Sequence, residues 1–268
     1  MHEYVSFNNQ IISYAKVGIS ATSSASLYGK GIFTTIAIYD GVPFLWKKHW
    51  RRLTDNAAKI GIDLSEYTEQ TTRNSLDEIV KKNNVTNRRT RLTFFDESSS
   101  GIWSSKTNNK TSLLIITGDL LPTPENFRLT VSTYPINSRS PLVGIKSCNY
   151  LENLLAFEHA KKCGFDEAVR LNERGLITSA CMANVFWLKD GHLYTPNLAS
   201  GCLAGTTREF LLENIECDEV EEGIDAINEA DAIFLTSAGL GVTQVAEYAS
   251  RNFDKSDHPV LGLLPDRR

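Results

Sequence analysis

An α+β fold in two domains is what this sequence predicts, on three observations. Its helical stretches come grouped rather than strictly alternating with strands, its connections are long, and turn dipeptides at Asp40-Gly41 and Asp190-Gly191 mark hairpins. A doubly wound sheet would need regular strand–helix alternation instead. A small N-terminal α/β domain followed by a larger C-terminal one is therefore expected.

The elements follow in order. Ile32–Tyr39 is rich in β-branched and aromatic residues, Asp40-Gly41 turns the chain, and Val42–Trp46 resumes the extended pattern. Lys47 to Ile60 places Trp50, Leu53, Ala57 and Ile60 on one helical stripe, stopped by Gly61. A second helix is expected over Glu69–Lys82, and strands near Arg91–Phe95 and Ser112–Thr117 complete a domain of residues 1–117. Pro122 and Pro124 forbid a helix and favour an extended connector, so residues 118–127 are expected to be the linker. Residues 128–268 form the larger domain. There, a strand at Arg128–Thr133 precedes a loop around Pro135 and Pro141, and a helix runs from Leu151 to Cys163. Strands are expected at Glu167–Leu171, Ala183–Leu188 and His192–Tyr194. A helix opens after Gly205, and the strand Ala232–Thr236 leads into the loop Ser237–Gly241.

Composition narrows the function classes. The 268 residues carry 28 Lys and Arg against 32 Asp and Glu, a net charge of −4, which lacks the basic excess of a nucleic-acid-binding chain. Hydrophobic residues make up 41% and charged ones 22%, a balance typical of a globular protein rather than a disordered one. No apolar run approaches the roughly 20 residues of a membrane helix, and the start MHEYVSFNNQ holds no secretory core. A cytoplasmic protein without nucleic-acid or membrane partners is expected. Five cysteines without a CxxC pair and five scattered histidines give no disulfide framework and no metal-ligand spacing, so no metal is expected.

Four places could carry chemistry. Lys146 ends the apolar run Leu142–Ile145. A lysine taken singly is a solvated charge, but one drawn inward by an apolar strand loses pKa and becomes a nucleophilic amine. Gly205-Thr206-Thr207-Arg208 at a helix start would make an anion site, or an ordinary cap. Thr236–Gly241 leaves a strand with small hydroxylated residues, as phosphate loops and plain connectors both do. In Lys47-Lys48-His49-Trp50-Arg51-Arg52, a mostly solvated face, one inward arginine would offer a bidentate partner for phosphate.

Together, and in this order, these segments resemble a known family. The chain is similar to the fold-type IV pyridoxal-phosphate-dependent enzymes, the D-amino-acid aminotransferase-like group. That group includes branched-chain and D-amino-acid aminotransferases and 4-amino-4-deoxychorismate lyase. The resemblance covers nearly the whole length. It rests on Tyr28–Thr35, His49–Leu53, Gly144–Asn149, Asp166–Ala168, Ala183–Phe186, Leu203–Arg208 and Thr236–Val245. It implies a homodimer acting on a small amino substrate with pyridoxal 5'-phosphate. Lys146 matches the lysine that forms the Schiff base, and Arg52 the arginine that grips the phosphate. Thr206 and Thr207 match the helix start that completes the phosphate cup, and Ser237 and Ala238 the second phosphate loop. Thr34 or Thr35 would look out toward substrate and assist proton transfer, while Arg91 and Arg139 are candidates for a substrate carboxylate. The loop Asp96–Lys106 shows no carboxylate-binding pattern.

One position departs from the family. Ser179 stands where a glutamate normally pairs with the pyridine nitrogen and keeps it protonated. A neutral hydroxyl holds that proton less firmly, which weakens the ring as an electron sink and penalises transamination more than elimination. The short motifs around Cys181–Trp187 and Ser237-Ala238 also lean to the deoxychorismate lyases, so pyruvate elimination is the preferred expectation. Amino transfer by a branched-chain or D-amino-acid aminotransferase is the alternative, and a weakly active or inactive cofactor-binding relative the second.

Overall fold

The chain opens as a hairpin, β1 (Tyr4–Phe7) and β2 (Gln10–Ser13). Asn8 and Asn9 turn it, both in the left-handed region at φ 49° and 63°, as a two-residue hairpin with right-handed strand twist requires. The computed structural model describes residues 1–98, 110–120 and 122–265. Two units emerge, one built from the chain between Met1 and Leu121 plus Ile145–Asn149, the other from Pro122–Gly144 and the chain beyond Tyr150.

After the short helix α1 (Ser24–Tyr28), the first unit continues with β3 (Gly31–Tyr39) and β4 (Val42–Pro43). The helices α2 (Trp46–Ile60) and α3 (Glu69–Lys82) follow, then β5 (Arg88–Asp96) and β6 (Thr111–Gly118). The sheet order is β2-β1-β6-β5-β3-β4, antiparallel throughout. Gly61 ends α2 at φ 66°, and Thr68 with Thr71 forms a capping box at the start of α3. Both helices pack on one face of the sheet. Leu53, Ala57, Leu76 and Ile79 meet Ile32, Ile36, Leu92, Phe94 and Ile115 in one apolar cluster.

The second unit carries two five-stranded sheets. Its elements in chain order begin with β7 (Arg128–Val131), α4 (Leu151–Lys162), β8 (Glu167–Leu171) and β9 (Ile177–Ala180). Next come β10 (Asn184–Lys189), β11 (His192–Pro196), α5 (Thr206–Asn214), β12 (Asp218–Val220) and α6 (Asp225–Asn228). Then β13 (Ala232–Ser237), β14 (Gly241–Gln244), β15 (Glu247–Tyr248) and β16 (Arg251–Asn252) complete it. The orders are β12-β11-β10-β13-β14 and β16-β15-β7-β8-β9. Leu129, Val169 and Ile177 of one sheet share a buried cluster with Val185, Trp187, Ile233 and Leu235 of the other. On the opposite face of β10 and β13, Phe186 and Phe234 pack with Leu211 of α5.

The expected division puts everything after Phe127 in the second domain. The five residues around Lys146 instead pack with the first unit. The cause is backbone pairing across more than a hundred residues, for Phe33 N–H donates to the Lys146 carbonyl at 2.9 Å and Cys148 N–H to the Gly31 carbonyl at 2.8 Å. Among the described residues no helix is long and apolar enough to cross a membrane, and no cluster of His, Cys, Asp and Glu side chains could hold a metal ion.

Candidate active site

Lys146 is not carried by a regular strand, as its apolar approach predicts. It follows a turn over Pro141–Gly144, where Gly144 takes φ 71°, and lies beside an isolated antiparallel bridge between Ile32 and Ser147. That bridge is possible because residue 31 is glycine, since a Cβ there would meet Cys148 Sγ and the Phe94 carbonyl at 2.9 Å each. The segment sets the Lys146 amine over the Phe33 ring, with Nζ 4.6 Å from its centroid. The Arg91 guanidinium lies 3.6 Å from the same centroid, and its Nε donates to Thr93 Oγ1 at 3.2 Å. Burial of the amine, then the charges of Arg52 and Arg91, bring the Lys146 pKa down to about 7. An amine so placed is half neutral at physiological pH.

Strand β3 alternates its faces, and this separates the two threonines proposed for catalysis. Thr34 shares the α2 side with Ile32 and Ile36, whose side chains meet that helix in the apolar cluster. It is fully buried, and its Oγ1 accepts from Arg52 Nη2 at 2.7 Å and lies 2.6 Å from His49 Nδ1. The expectation that Thr34 looks outward is therefore corrected: its hydroxyl is committed to the helix. Thr35 points to the other face, directly across the ladder from Arg91, on the same side as Phe33. His49 is buried beside these cations. Desolvation, then Arg52 and Lys146, hold its pKa well below the usual histidine value, so the ring is neutral.

In the second unit Ser179 lies buried on β9, opposite Arg170 of β8. The Arg170 side chain is 1% exposed, donating to the carbonyls of Tyr134 and Pro135 and to Glu152 Oε1 at 2.7 Å. Two residues beyond Ser179, the turn into β10 is held by Glu167. Its carboxylate accepts the backbone N–H groups of Ala168, Cys181 and Met182 at 2.8–3.0 Å. Burial outweighs these bonds and raises the Glu167 pKa to about 7.

Thr206 and Thr207 open α5 and are buried. Gly205 caps the helix without a side chain, and Asn184 explains why. The Asn184 amide donates to the Leu203 carbonyl at 2.9 Å, and its Oδ1 stands in the place a Gly205 Cβ would take. Gly205→Ala is therefore expected to lower stability by roughly 1–3 kcal/mol through overpacking, with that penalty absent when the same change is made in an Asn184→Ala background. Thermal melts of the single and double variants decide this, and a Gly205→Ala melt equal to the parent's would refute it. At the end of β13, Ser237 Oγ accepts from the Leu240 N–H at 3.1 Å, and Ala238 follows in that turn. Thr236, one residue earlier, is 1% exposed, and its hydroxyl has no partner among the described residues. By strand alternation it shares the α5 face with Ala232 and Phe234.

Arg139 is exposed on a turn where its N–H bonds Asn137 Oδ1 at 2.9 Å. Within the stretch Asp96–Lys106, residues 99–106 lie outside the described residues. His49 and Asn184 were visible only as members of motifs; Glu167 and Arg170 gave no sign beyond being charges inside otherwise apolar strand sequences.

Three likenesses accompany this fold and its lysine of lowered pKa beside arginines. The branched-chain aminotransferase of the thermophilic archaeon Thermoproteus uzoniensis, solved with norvaline, has the same fold. Its TM-score is 0.88 at 22% identity, covering 97% of this chain and 91% of that one. A putative branched-chain-amino-acid aminotransferase of Methanocaldococcus jannaschii is 28% identical over 91% of this chain and 87% of its own length. The aminodeoxychorismate lyase of Bacillus subtilis is 29% identical over 89% and 84%. Residues 31–248 match the amino-transferase class IV family, and the chain belongs to it.

Proposed function

We propose that the chain is a pyridoxal-phosphate enzyme that releases pyruvate from aminodeoxychorismate to leave 4-aminobenzoate. The residues present suit that cofactor. Its aldehyde calls for an amine that is neutral near pH 7, which the Lys146 environment provides. Its phosphate calls for cations, N–H groups and hydroxyls. Thr206, Thr207, Ser237 and the turn at Ala238 are assigned to it, with the Thr236 hydroxyl as one more donor, and Arg52 is assigned to it as the family resemblance implies. When bound, pyridoxal phosphate supplies a carbonyl that joins an amine and a ring that draws electrons from the adjacent carbon.

The protein's part is to hold and move protons. Lys146 Nζ takes the proton from the substrate carbon that bears the amine, the carbon–oxygen bond to the enolpyruvyl group on the adjacent carbon breaks, and Nζ returns the proton to the methylene carbon of the released enol to give pyruvate. Arg91, across the ladder from Thr35 and stacked on Phe33, is assigned to a substrate carboxylate, and Thr35 to the same face. Exposed Arg139 is a second carboxylate candidate. Ser179 is assigned to the ring nitrogen.

The observation that carries elimination is the neutral side chain at this place, Ser179, buried on β9 with Arg170 as its ladder partner. A hydroxyl does not hold a proton on the ring nitrogen as a carboxylate would, and elimination tolerates that better than amino transfer does. Amino transfer between an amino acid and 2-oxoglutarate is the second reading, supported by the branched-chain relatives. The two separate on products. Pyruvate with 4-aminobenzoate is expected, whereas glutamate formed from 2-oxoglutarate would establish the alternative, and neither product from the cofactor-loaded protein would leave an inactive relative.

A homodimer is part of the proposal. Leu151, Leu154 and Leu155 are exposed along one stripe of α4, an apolar surface that a second copy would cover. Sedimentation at micromolar concentration is expected to give twice the chain mass.

A further inference from the structure

Arg52 is a long side chain whose usefulness to an anion depends on where its planar fork points. What sets that direction is visible on the first unit. Thr34 and Arg52 face one another between β3 and α2, and His49 lies one turn before Arg52 on the same helix face. The three polar side chains form a chain of bonds inside an otherwise apolar junction, with 2.7 Å from Arg52 Nη2 to Thr34 Oγ1 and 2.6 Å from Thr34 Oγ1 to His49 Nδ1.

The direction of the first bond follows from the groups themselves. A guanidinium has only donors, so Thr34 Oγ1 must accept from Arg52. The hydroxyl has one hydrogen left to give, and His49 Nδ1 is positioned to receive it. We assign that hydrogen to the Thr34–His49 bond, which leaves Nδ1 without a proton and places the ring hydrogen on Nε2. The neutral state of His49 agrees with this order. A hydrogen on Nδ1 would instead donate to Thr34 Oγ1 and leave the hydroxyl hydrogen without this partner.

We propose that Thr34 and His49 are positioning residues for Arg52, fixing its guanidinium so that it meets the phosphate of the cofactor already oriented. This rests on the cofactor assignment above. It gives Thr34 a role different from proton transfer at substrate, and gives His49 one that neither its motif nor its burial announces. A preorganised cation binds an anion without losing side-chain freedom at that moment. Loosening it should therefore weaken phosphate-bearing ligands selectively.

The test compares two ligands on three full-length proteins. Parent, Thr34→Val and Thr34→Ser are each titrated with pyridoxal phosphate and with pyridoxal, which has the aldehyde but no phosphate. Valine keeps the shape and β-branching of threonine and removes only the hydroxyl. Thr34→Val is expected to weaken pyridoxal phosphate by about 10- to 100-fold, the range for a hydrogen bond to a charged group, while pyridoxal binding stays within about two-fold by the same measure. Thr34→Ser is expected to behave as the parent. Equal losses for both ligands, or no loss for either, would overturn the proposal and leave Thr34 a packing residue. The nitrogen-15 spectrum of His49 supplies a readout that needs no cofactor. A neutral ring protonated at Nε2 is expected in the parent, and a proton on Nδ1 would overturn the bond order. If the parent binds neither ligand and borohydride attaches nothing to Lys146, the cofactor assignment itself fails, which the spectrum distinguishes from a failure of the positioning role.

Discussion

Lys146→Ala is expected to abolish borohydride-dependent attachment of pyridoxal phosphate and to cut turnover by about 10²–10⁴-fold from the loss of proton transfer alone. The variant should remain folded. In the parent, the Lys146 cation is disfavoured by burial and by the neighbouring Arg52 and Arg91, which is why its pKa falls from 10.5 to about 7. The sign of the linkage follows. An amine with a depressed folded-state pKa contributes full stability only above its unfolded pKa and loses it as pH falls toward 7. Removing that amine relieves a cost at neutral pH, so melting should be no lower than in the parent. Loss of activity then cannot be ascribed to unfolding. The parent's rate should rise with pH up to about 7 as the amine becomes neutral, and peptide mapping of the reduced protein should find the adduct at residue 146. Full labelling or full turnover in the variant would eliminate Lys146 as the reacting group.

How much of this centre could be read from residue order depends on the range of the interactions involved. Local chemistry is legible. Asp40-Gly41 and Asp190-Gly191 turn hairpins at φ values of 49° and 78°, and 51° and 79°, as their residue types demand. The stripe on α2 and the Gly61 stop appear where the period and the punctuation put them. The first hairpin was equally open to reading, since Asn8-Asn9 is a turn dipeptide of the same class, yet its four-residue strands carry only one strongly apolar face. Strand β9 is short enough for Ile177–Ala180 to pass as connector.

Long-range pairing leaves no such mark. Nothing near Lys146 says that its carbonyl will accept from Phe33, more than a hundred residues earlier. That bond moves the lysine from an expected strand of the second domain to the first unit, beside Arg52 and Arg91. The separation of Thr34 from Thr35 was readable in principle, because alternate residues of a strand take opposite faces. Which face belonged to α2 required the helix to be in place. The exclusion at Gly205 is of the same long-range kind, set by an asparagine twenty-one positions away.

Glu167 shows what such an interaction is worth. Glu167→Ala is expected to cost roughly 2 kcal/mol or more, since it strips the acceptor from the Ala168 and Met182 backbone donors at roughly 1–3 kcal/mol each, offset in part by water entering the space, while the Cys181 N–H keeps its bond to the Ala168 carbonyl. Its carboxylate is the shared acceptor that shapes the Cys181–Met182 turn immediately after Ser179, so activity should fall together with stability. The pH dependence carries the signature. With a folded-state pKa near 7 against 4.5 for the free side chain, the folded protein binds the extra proton across that window. The contribution of this group to stability is complete below pH 4.5 and is lost as pH rises through 7. The deficit of Glu167→Ala should therefore be larger at pH 5 than at pH 8, and Glu167→Gln, which keeps one acceptor oxygen and likewise never ionises, should lose less at both pH values with the same pH trend. Denaturant midpoints for the three proteins at the two pH values measure both effects. Equal midpoints for parent and Glu167→Ala would mean that the turn is held by its other bonds and that the carboxylate is a bystander to the arrangement of Ser179.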